Sequence, residues 1–487
     1  MPVREIGEEK SRIKKLEQIK SKGINPYPSE VKRTHTCLQV VENFEKLLNK
    51  KVVLAGRITA LRLHGKACFV DLNDGEARMQ VYLTQDGVGE ESYNQFKEWI
   101  DIGDFIEVQG KLFLTRKNEK TLRCSQWRIL GKALLPLPEK WHGLKSKETR
   151  YRQRYLDLLA NPKVRNNFII RSLILKEVRN FLDEQGYLEV ETPILQPLAG
   201  GAAARPFLTH LNALKMNLYL RIAPELYLKQ LVIGGLSKVY EVAKCFRNEG
   251  IDFAHNPEFT QVEFYQAYSD YKDLMVLTEQ LLQRVVKRIF NSLQVEYKGH
   301  KLSFKTPFTR LKYRDVVYQY SKIDVLDDEK KIKTQAKKKG MEIDKTWSKG
   351  KIIDEIFKEF VRPKIIQPTF IIDHPVDLSP LAKRHFDNPE LTERFQLLIA
   401  GMEICNAFSE LNDPLDQEKR FKFQEQMRKK GDEEAHPLDK EFVKALKYGL
   451  PPTAGEGLGI DRLTQILTNE PSIREIIFFP LMKRKTK

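Results

Sequence analysis

Three short segments carry residues whose types and spacing suit the handling of a nucleotide. The first is Glu191-Thr-Pro193. The second, Phe246-Arg-Asn-Glu-Gly250, is followed at once by His255-Asn-Pro-Glu-Phe259. The third is the run Gly455-Glu-Gly-Leu-Gly-Ile-Asp-Arg462. Arg247 and Arg462 are permanent cations with forked donors, the side-chain type that grips phosphate and carboxylate oxygens in pairs. No G-x-x-x-x-G-K-[ST] loop occurs in the chain, and no G-x-G-x-x-G follows a strand. A nucleotide here has to be held by side chains rather than by a glycine cradle. Glu263 and Tyr265 stand two apart, which a strand would place on one face. Taken singly the signals are modest: an Arg-x-Glu pair on a strand is more often a surface ion pair, and His255 alone reads as a turn histidine.

The elements that must hold these groups show as changes in hydrophobic rhythm. Ile170, Ile174, Val178 and Phe181 recur at three- and four-residue spacing and predict an amphipathic helix over Asn167–Gln185. Gly186 closes it, and an extended Tyr187–Glu191 delivers the chain to Thr192-Pro193. Beyond this point strands and helices mix without the alternation of a doubly wound sheet, which argues for an α+β domain. The stretch Asp327–Lys339, with Lys330, Lys331, Lys333 and Lys337–Lys339, reads as an exposed charged excursion. Nearer the amino terminus, strands are expected at Lys51–Leu61, Ala67–Leu72, Ala77–Leu83, Asp104–Phe113 and Thr121–Leu130, parted by turn signals such as Asp74-Gly75. So many strands in so short a span fit a small barrel of the oligonucleotide-binding type (OB fold). Val70, Leu72, Met79 and Val81 would fill it, leaving Phe69, Asp71, Gln80 and Tyr82 outside. That outer face suits stacking and edge-reading of unpaired bases, although a purely structural barrel shares the pattern. Residues 1–22 read as a basic helix ended by Gly23-Ile-Asn-Pro-Tyr-Pro28, its charge serving either a solvated face or phosphate contacts.

In this order and with these companions, the three segments resemble motifs 1, 2 and 3 of class II aminoacyl-tRNA synthetases. Further runs bring the likeness to the lysyl-tRNA synthetases of bacterial type: Gly65-Lys-Ala, Arg150-Tyr-Arg-Gln-Arg-Tyr-Leu-Asp-Leu158, Gly200-Gly-Ala, Arg221-Ile-Ala-Pro-Glu-Leu-Tyr227 and Asn406-Ala-Phe-Ser-Glu-Leu-Asn412. The likeness covers nearly the whole chain and is weakest in the Lys-rich stretch. It implies an α+β fold in which a class II antiparallel sheet with flanking helices is preceded by an all-β OB-fold barrel. The domain plan is a basic helical extension (1–48), an OB-fold anticodon-binding domain (49–140), a linker (141–165) and a class II catalytic domain (166–487).

The resemblance also implies a chemistry: ATP activates L-lysine to lysyl-adenylate and pyrophosphate, and lysine then passes to the 3′ end of tRNA(Lys). Arg247, bridging substrate carboxylate and α-phosphate, and Arg462, holding the γ-phosphate of a bent ATP, are the implied catalytic residues. Glu249 and Asn256 are implied near adenine and ribose, His255 at the phosphates, and Phe259 stacked on the adenine. Glu263, Tyr265 and Glu410 are assigned to the side-chain ammonium of lysine, Glu225 and Gly201 to its α-ammonium, and Asn406 with Arg247 to its carboxylate. Buried acids of this kind disfavour an aspartyl or asparaginyl enzyme. Two carboxylates seven residues apart help hold Mg²⁺ in the family. Glu403 fills the second position, and Gln396, an uncharged amide, stands at the first. Mg²⁺ dependence is still expected, because phosphates and water also ligate the metal. In the barrel, Phe69 and Gln80 match anticodon-reading positions, and a third, usually acidic, is Gln126. Motif 1 implies a homodimer through the region near Pro193.

Composition agrees with a large soluble enzyme. The chain has 487 residues, 41% hydrophobic, enough for two or three domains with sizeable cores. A net charge of +17 makes a polyanionic partner plausible. Neither a signal core at the start nor a run long enough to span a bilayer is present, so a cytoplasmic protein without a membrane role is expected. Five scattered cysteines without C-x-x-C spacing read as small buried thiols. A protein-lysylating paralogue would resemble the catalytic domain alone, whereas this chain keeps a barrel. A regulatory RNA-binding protein with a dead synthetase domain would lack Arg247, Arg462 or Glu410, and all three are present.

Overall fold

Alternating apolar residues roll the amino-terminal strands into a closed barrel. The computed structural model describes residues 3–138, 144, 146–202, 204–344, 347–429 and 437–484, and divides into two units, Met1–Leu144 and Lys145–Lys487. In the first unit β1 (Lys51–His64), β2 (Ala67–Asn73), β3 (Arg78–Thr84), β4 (Phe105–Leu114) and β5 (Lys120–Gly131) close in the order β1-β2-β3-β5-β4. Val70, Leu72, Met79 and Val81 are buried inside, as their alternation requires. A helix α2 (Glu90–Trp99) joins β3 to β4 and buries Tyr93, Phe96 and Trp99 against the barrel. The basic helix α1 (Val3–Ser21) is bound to the same unit. Ile19 is buried, Arg12 donates to the carbonyls of Ile102 (3.1 Å) and Ala133 (3.0 Å), and Lys15 pairs with Asp101 at 2.6 Å. Two of its cations therefore dock the helix, while Lys10, Lys14 and Lys20 remain exposed.

The second unit is built on an eight-stranded sheet. The strands of this sheet and the helices that bear on the site are, among other elements, α3 (Pro162–Glu184), β6 (Leu188–Glu189), α4 (Glu225–Ile233), β7 (Lys238–Phe246), β8 (Glu258–Ala267), α5 (Tyr271–Phe290), β9 (Thr309–Lys312), α6 (Tyr313–Ser321), α7 (Glu329–Lys338), α8 (Lys349–Phe360), β10 (Thr369–Pro375), β11 (Leu391–Ile399), β12 (Met402–Ser409), β13 (Thr453–Gly459) and α9 (Ile460–Leu467). The strand order is β9-β10-β11-β12-β13-β8-β7-β6, antiparallel except for the outermost pair at each edge. Helices α3, α5 and α9 cover one face and, with the sheet, enclose the main core around Ile174, Val178, Leu281, Phe264, Phe395 and Leu463. α3 starts at Pro162, earlier than the apolar rhythm suggested, because proline suits a first helical position.

Two stretches differ from the sequence reading. The Lys-rich segment is not a bare excursion: Asp328 caps α7 by accepting from the Lys331 amide, and Ile332 and Ala336 are buried with Ile352, Ile356 and Phe357 in a separate core. The apolar residues lie four apart, one helical turn, and a composition of lysines hides them. The basic part of the stretch read as a linker forms two short helices, Lys147–Arg152 and Arg154–Ala160. Arg154 is fully buried, pairs with Asp157 at 2.5 Å and donates to the carbonyls of Arg474, Ile477 and Phe478. Arg150 bridges Asp157 and Glu475. These arginines clamp the carboxy-terminal segment.

Candidate active site

Residues of the second and third motifs gather on the open face of the sheet around a cavity of about 700 Å³, which Glu191-Thr-Pro193 does not line. Arg247 follows the last residue of β7. Its amide donates to Pro257 at 2.8 Å, its guanidinium lies 4.9 Å from the ring centre of Phe259, and its buried Nε has no hydrogen-bond partner. Arg462 lies in the first turn of α9 and donates to the Glu403 carbonyl (3.0 Å) and toward His255 Nε2 (3.0 Å). An arginine can only donate, so Nε2 of His255 accepts, and its Nδ1–H points to Asp252 at 2.8 Å. Asp461 fixes the start of α9 to β8 by pairing with Arg171 and accepting from the Thr260 amide. Burial holds Arg462 below the ordinary arginine range; Arg362 and Arg247 push the same way and Glu403 opposes. Asn256 donates to the Glu258 carbonyl at 2.6 Å and keeps a buried Oδ1 without a partner. Glu249 is exposed at the cavity edge.

Beside this cationic side lies an acidic one. Glu263 and Tyr265 project from β8, the tyrosine hydroxyl donating to Glu263 at 3.2 Å and Gln261 at 2.6 Å to its other oxygen. β13 pairs with β8 so that Gly457 opposes Glu263 and Gly455 opposes Tyr265. A Cβ at position 455 would collide with the Tyr265 ring and the Glu410 carboxylate, so the glycine run of motif 3 makes room for the acids. Gly201, at φ 88°, packs against Glu225 with no room for a side chain. Asn406 accepts from Arg394 at 2.8 Å. Burial first, and the charge of Glu225 second, raise Glu263 to about 8.

A residue that sequence reasoning missed joins this group. Lys229, on α4 and 1% exposed, pairs with Glu225 at 2.6 Å and with Glu410, and lies over the rings of Phe408 and Phe442. Burial alone would push its ammonium down, but the two carboxylates outweigh that and hold it above the ordinary lysine value. Its only sequence signal was the Glu-x-x-x-Lys spacing, which on most helices marks a surface pair. Twelve of the expected residues line the cavity: Gly201, Glu225, Arg247, Glu249, His255, Asn256, Phe259, Glu263, Tyr265, Glu403, Asn406 and Arg462. Glu410, buried, stands behind them against Lys229.

Glu403 Oε2 accepts from Arg362 Nη2 at 2.7 Å and from Gln396 Nε2 at 3.3 Å. Among the described residues no cluster of three His, Cys, Asp or Glu side chains could hold a metal ion. A single carboxylate already paired with a guanidinium does not fit a protein-held divalent cation.

In the barrel Phe69 is half-buried on the outer face, its ring 4.8 Å from that of Tyr82. Gln80 is buried, and its carbonyl accepts from Thr121 at 2.9 Å, leaving its amide N–H groups. Gln126 is exposed further along β5 and accepts from Gln109 at 2.6 Å.

Comparison with known proteins agrees with both units. Residues 52–130 match the family model described as OB-fold nucleic acid binding domain. The chain is 50% identical over 476 residues to a lysine–tRNA ligase of Carboxydothermus hydrogenoformans, covering 97% of each chain. It is 51% identical over 477 residues to one of Pelotomaculum thermopropionicum (97% of this chain, 94% of that one) and 46% identical over 481 residues to one of Thermotoga maritima (97% and 95%). Among the described residues no helix is long and apolar enough to cross a membrane. Residues 146–483, well over half of the chain and the part that carries the arginines and acids of the cavity, match the model of the class II tRNA synthetases (D, K and N), and the chain belongs to that family.

Proposed function

We propose that the protein is a lysine–tRNA ligase. The observation that carries the substrate is a count of buried charge. Glu225, Glu263 and Glu410 are three carboxylates, and Lys229 is the one ammonium among them. With lysine bound and all three acids ionised, three minus one leaves two negative charges, the number of ammonium groups on free lysine. A neutral analogue would leave them unmatched, which costs roughly 10⁴-fold in discrimination. In activation an oxygen of the lysine carboxylate attacks the α-phosphorus, the bond to the bridging oxygen breaks, and pyrophosphate leaves with the electron pair. Arg247 draws the two anions together and Arg462 holds the far phosphate, so the charge that builds meets cations already in place. His255, oriented by Asp252, Glu249 and Asn256 complete the nucleotide's contacts, and Phe259 supplies a face for the adenine. A terminal hydroxyl of tRNA(Lys) then attacks the carbonyl and AMP leaves. Mg²⁺ enters as the counter-ion of ATP.

The barrel, residues 49–140, serves the anticodon through Phe69, Gln80 and Gln126, residues 166–487 serve catalysis, and a cytoplasmic location follows from the role. A homodimer is supported by apolar side chains left in water near Pro193: Ile194, Leu195, Leu198, Leu208 and Leu214, the last two 62% and 67% exposed. Amino-acid-dependent exchange of labelled pyrophosphate into ATP, tested with all twenty amino acids, decides the main reading. Exchange with lysine alone is expected. Exchange with aspartate or asparagine would overturn the pocket, and no exchange from folded protein would favour a regulatory RNA-binding role.

A further inference from the structure

The wall of the cavity formed by α8 carries charge that the motifs do not use. Lys351, Asp354 and Lys358 recur at helical spacing along α8 and line the cavity, and Arg362 follows in a short 3-10 turn, Arg362–Lys364. Lys358 is committed to Asp354 (2.6 Å) and Glu355 (2.9 Å). Arg362 places one N–H on Glu403 and keeps a buried Nε without a partner. Glu403 stands between it and Arg462, which donates to the Glu403 carbonyl at 3.0 Å, and both arginines line the cavity on that side. One oxygen of Glu403, Oε2, is taken by both Arg362 and the amide N–H of Gln396.

We propose, on the ATP reading above, that Arg362 takes the place of a divalent cation held by the protein and binds the departing pyrophosphate directly. Nη2 stays on Glu403 while the N–H groups of the fork not engaged there meet phosphate oxygens, a division of donors that a planar guanidinium allows. No proton moves in this role: the guanidinium offsets charge as the bond between the α-phosphorus and the bridging oxygen breaks. The metal inventory is then the single ion that accompanies ATP.

The test counts Mn²⁺ bound to the full chain with lysine and a non-hydrolysable ATP analogue, by electron paramagnetic resonance, beside ATP kinetics of pyrophosphate exchange. One Mn²⁺ per site is expected. Arg362→Gln should raise KM for ATP by roughly 10- to 100-fold, the worth of a charge-assisted hydrogen bond, and Arg362→Lys should recover part of it. Circular dichroism of both variants checks that they fold. Two or more Mn²⁺ per site, or an unchanged KM in folded Arg362→Gln, would overturn the role of Arg362 while lysine-dependent exchange by the parent chain leaves the ATP reading intact. Absence of exchange in the parent chain with every amino acid overturns both.

Discussion

Glu263 shows how a buried pocket ties substrate binding to a proton. Its pKa of about 8 means that the empty site holds this carboxyl largely protonated at pH 7, whereas an ammonium ligand favours the carboxylate. Lysine binding should therefore release a proton below pH 8, and affinity should climb with pH by up to about tenfold per unit before levelling off. Calorimetry at pH 7 in buffers of different ionisation enthalpy checks this, and a heat independent of buffer would refute it. Lys229 makes a second case. Lys229→Met leaves Glu225 and Glu410 facing each other without a counter-charge and should destabilise the catalytic unit by roughly 3–5 kcal/mol in urea unfolding. Added lysine should recover part of that loss. The motif arginines and the Glu263–Tyr265 pair were legible because their spacing is local. The role of Lys229 was not, since Glu410 meets it only through the fold.

Strands were the most legible elements. Each barrel strand lies within a few residues of its expected bounds, and β1 runs on to His64 because it continues to pair with β2. Helix α2 stands where no element was read, and α7 stands where charge was taken for exposure. In α7 the lysines occupy one face in pairs with acids four residues away, Lys331 with Asp327 and Lys333 with Glu329, while Ile332 and Ala336 seal the core beneath. Ile332→Ala should cost about 2–4 kcal/mol, the range for truncating a fully buried aliphatic side chain. Limited proteolysis should then cut first within residues 327–344. Cleavage no faster than in the parent chain would mean that the helix is not held by that core.

The chain as a whole is a basic molecule of two units, one matching an OB-fold nucleic acid binding domain and the other a class II tRNA synthetase, and on the proposed reading the first recognises bases while the second transfers the acyl group. With a net charge of +17, affinity for tRNA should fall as salt rises, with a slope set by the phosphates its cations neutralise. Phe69→Ala, which removes a stacking ring from the barrel, should raise KM for tRNA(Lys) by roughly 10- to 100-fold in aminoacylation assays with little change in kcat. An unchanged KM would move anticodon reading elsewhere on the surface. All five cysteines are buried in the two units, and burial holds each thiol well above its ordinary range, Cys68 at about 11 and Cys37, Cys124 and Cys245 at about 12. Thiolates are the reactive form, so the native protein should react only slowly with maleimides, which thiol counting with and without denaturant checks. A cysteine introduced on exposed α7 or on the outer face of β2 would then accept a fluorophore alone, giving a single-colour reporter of substrate binding without first stripping the natural thiols.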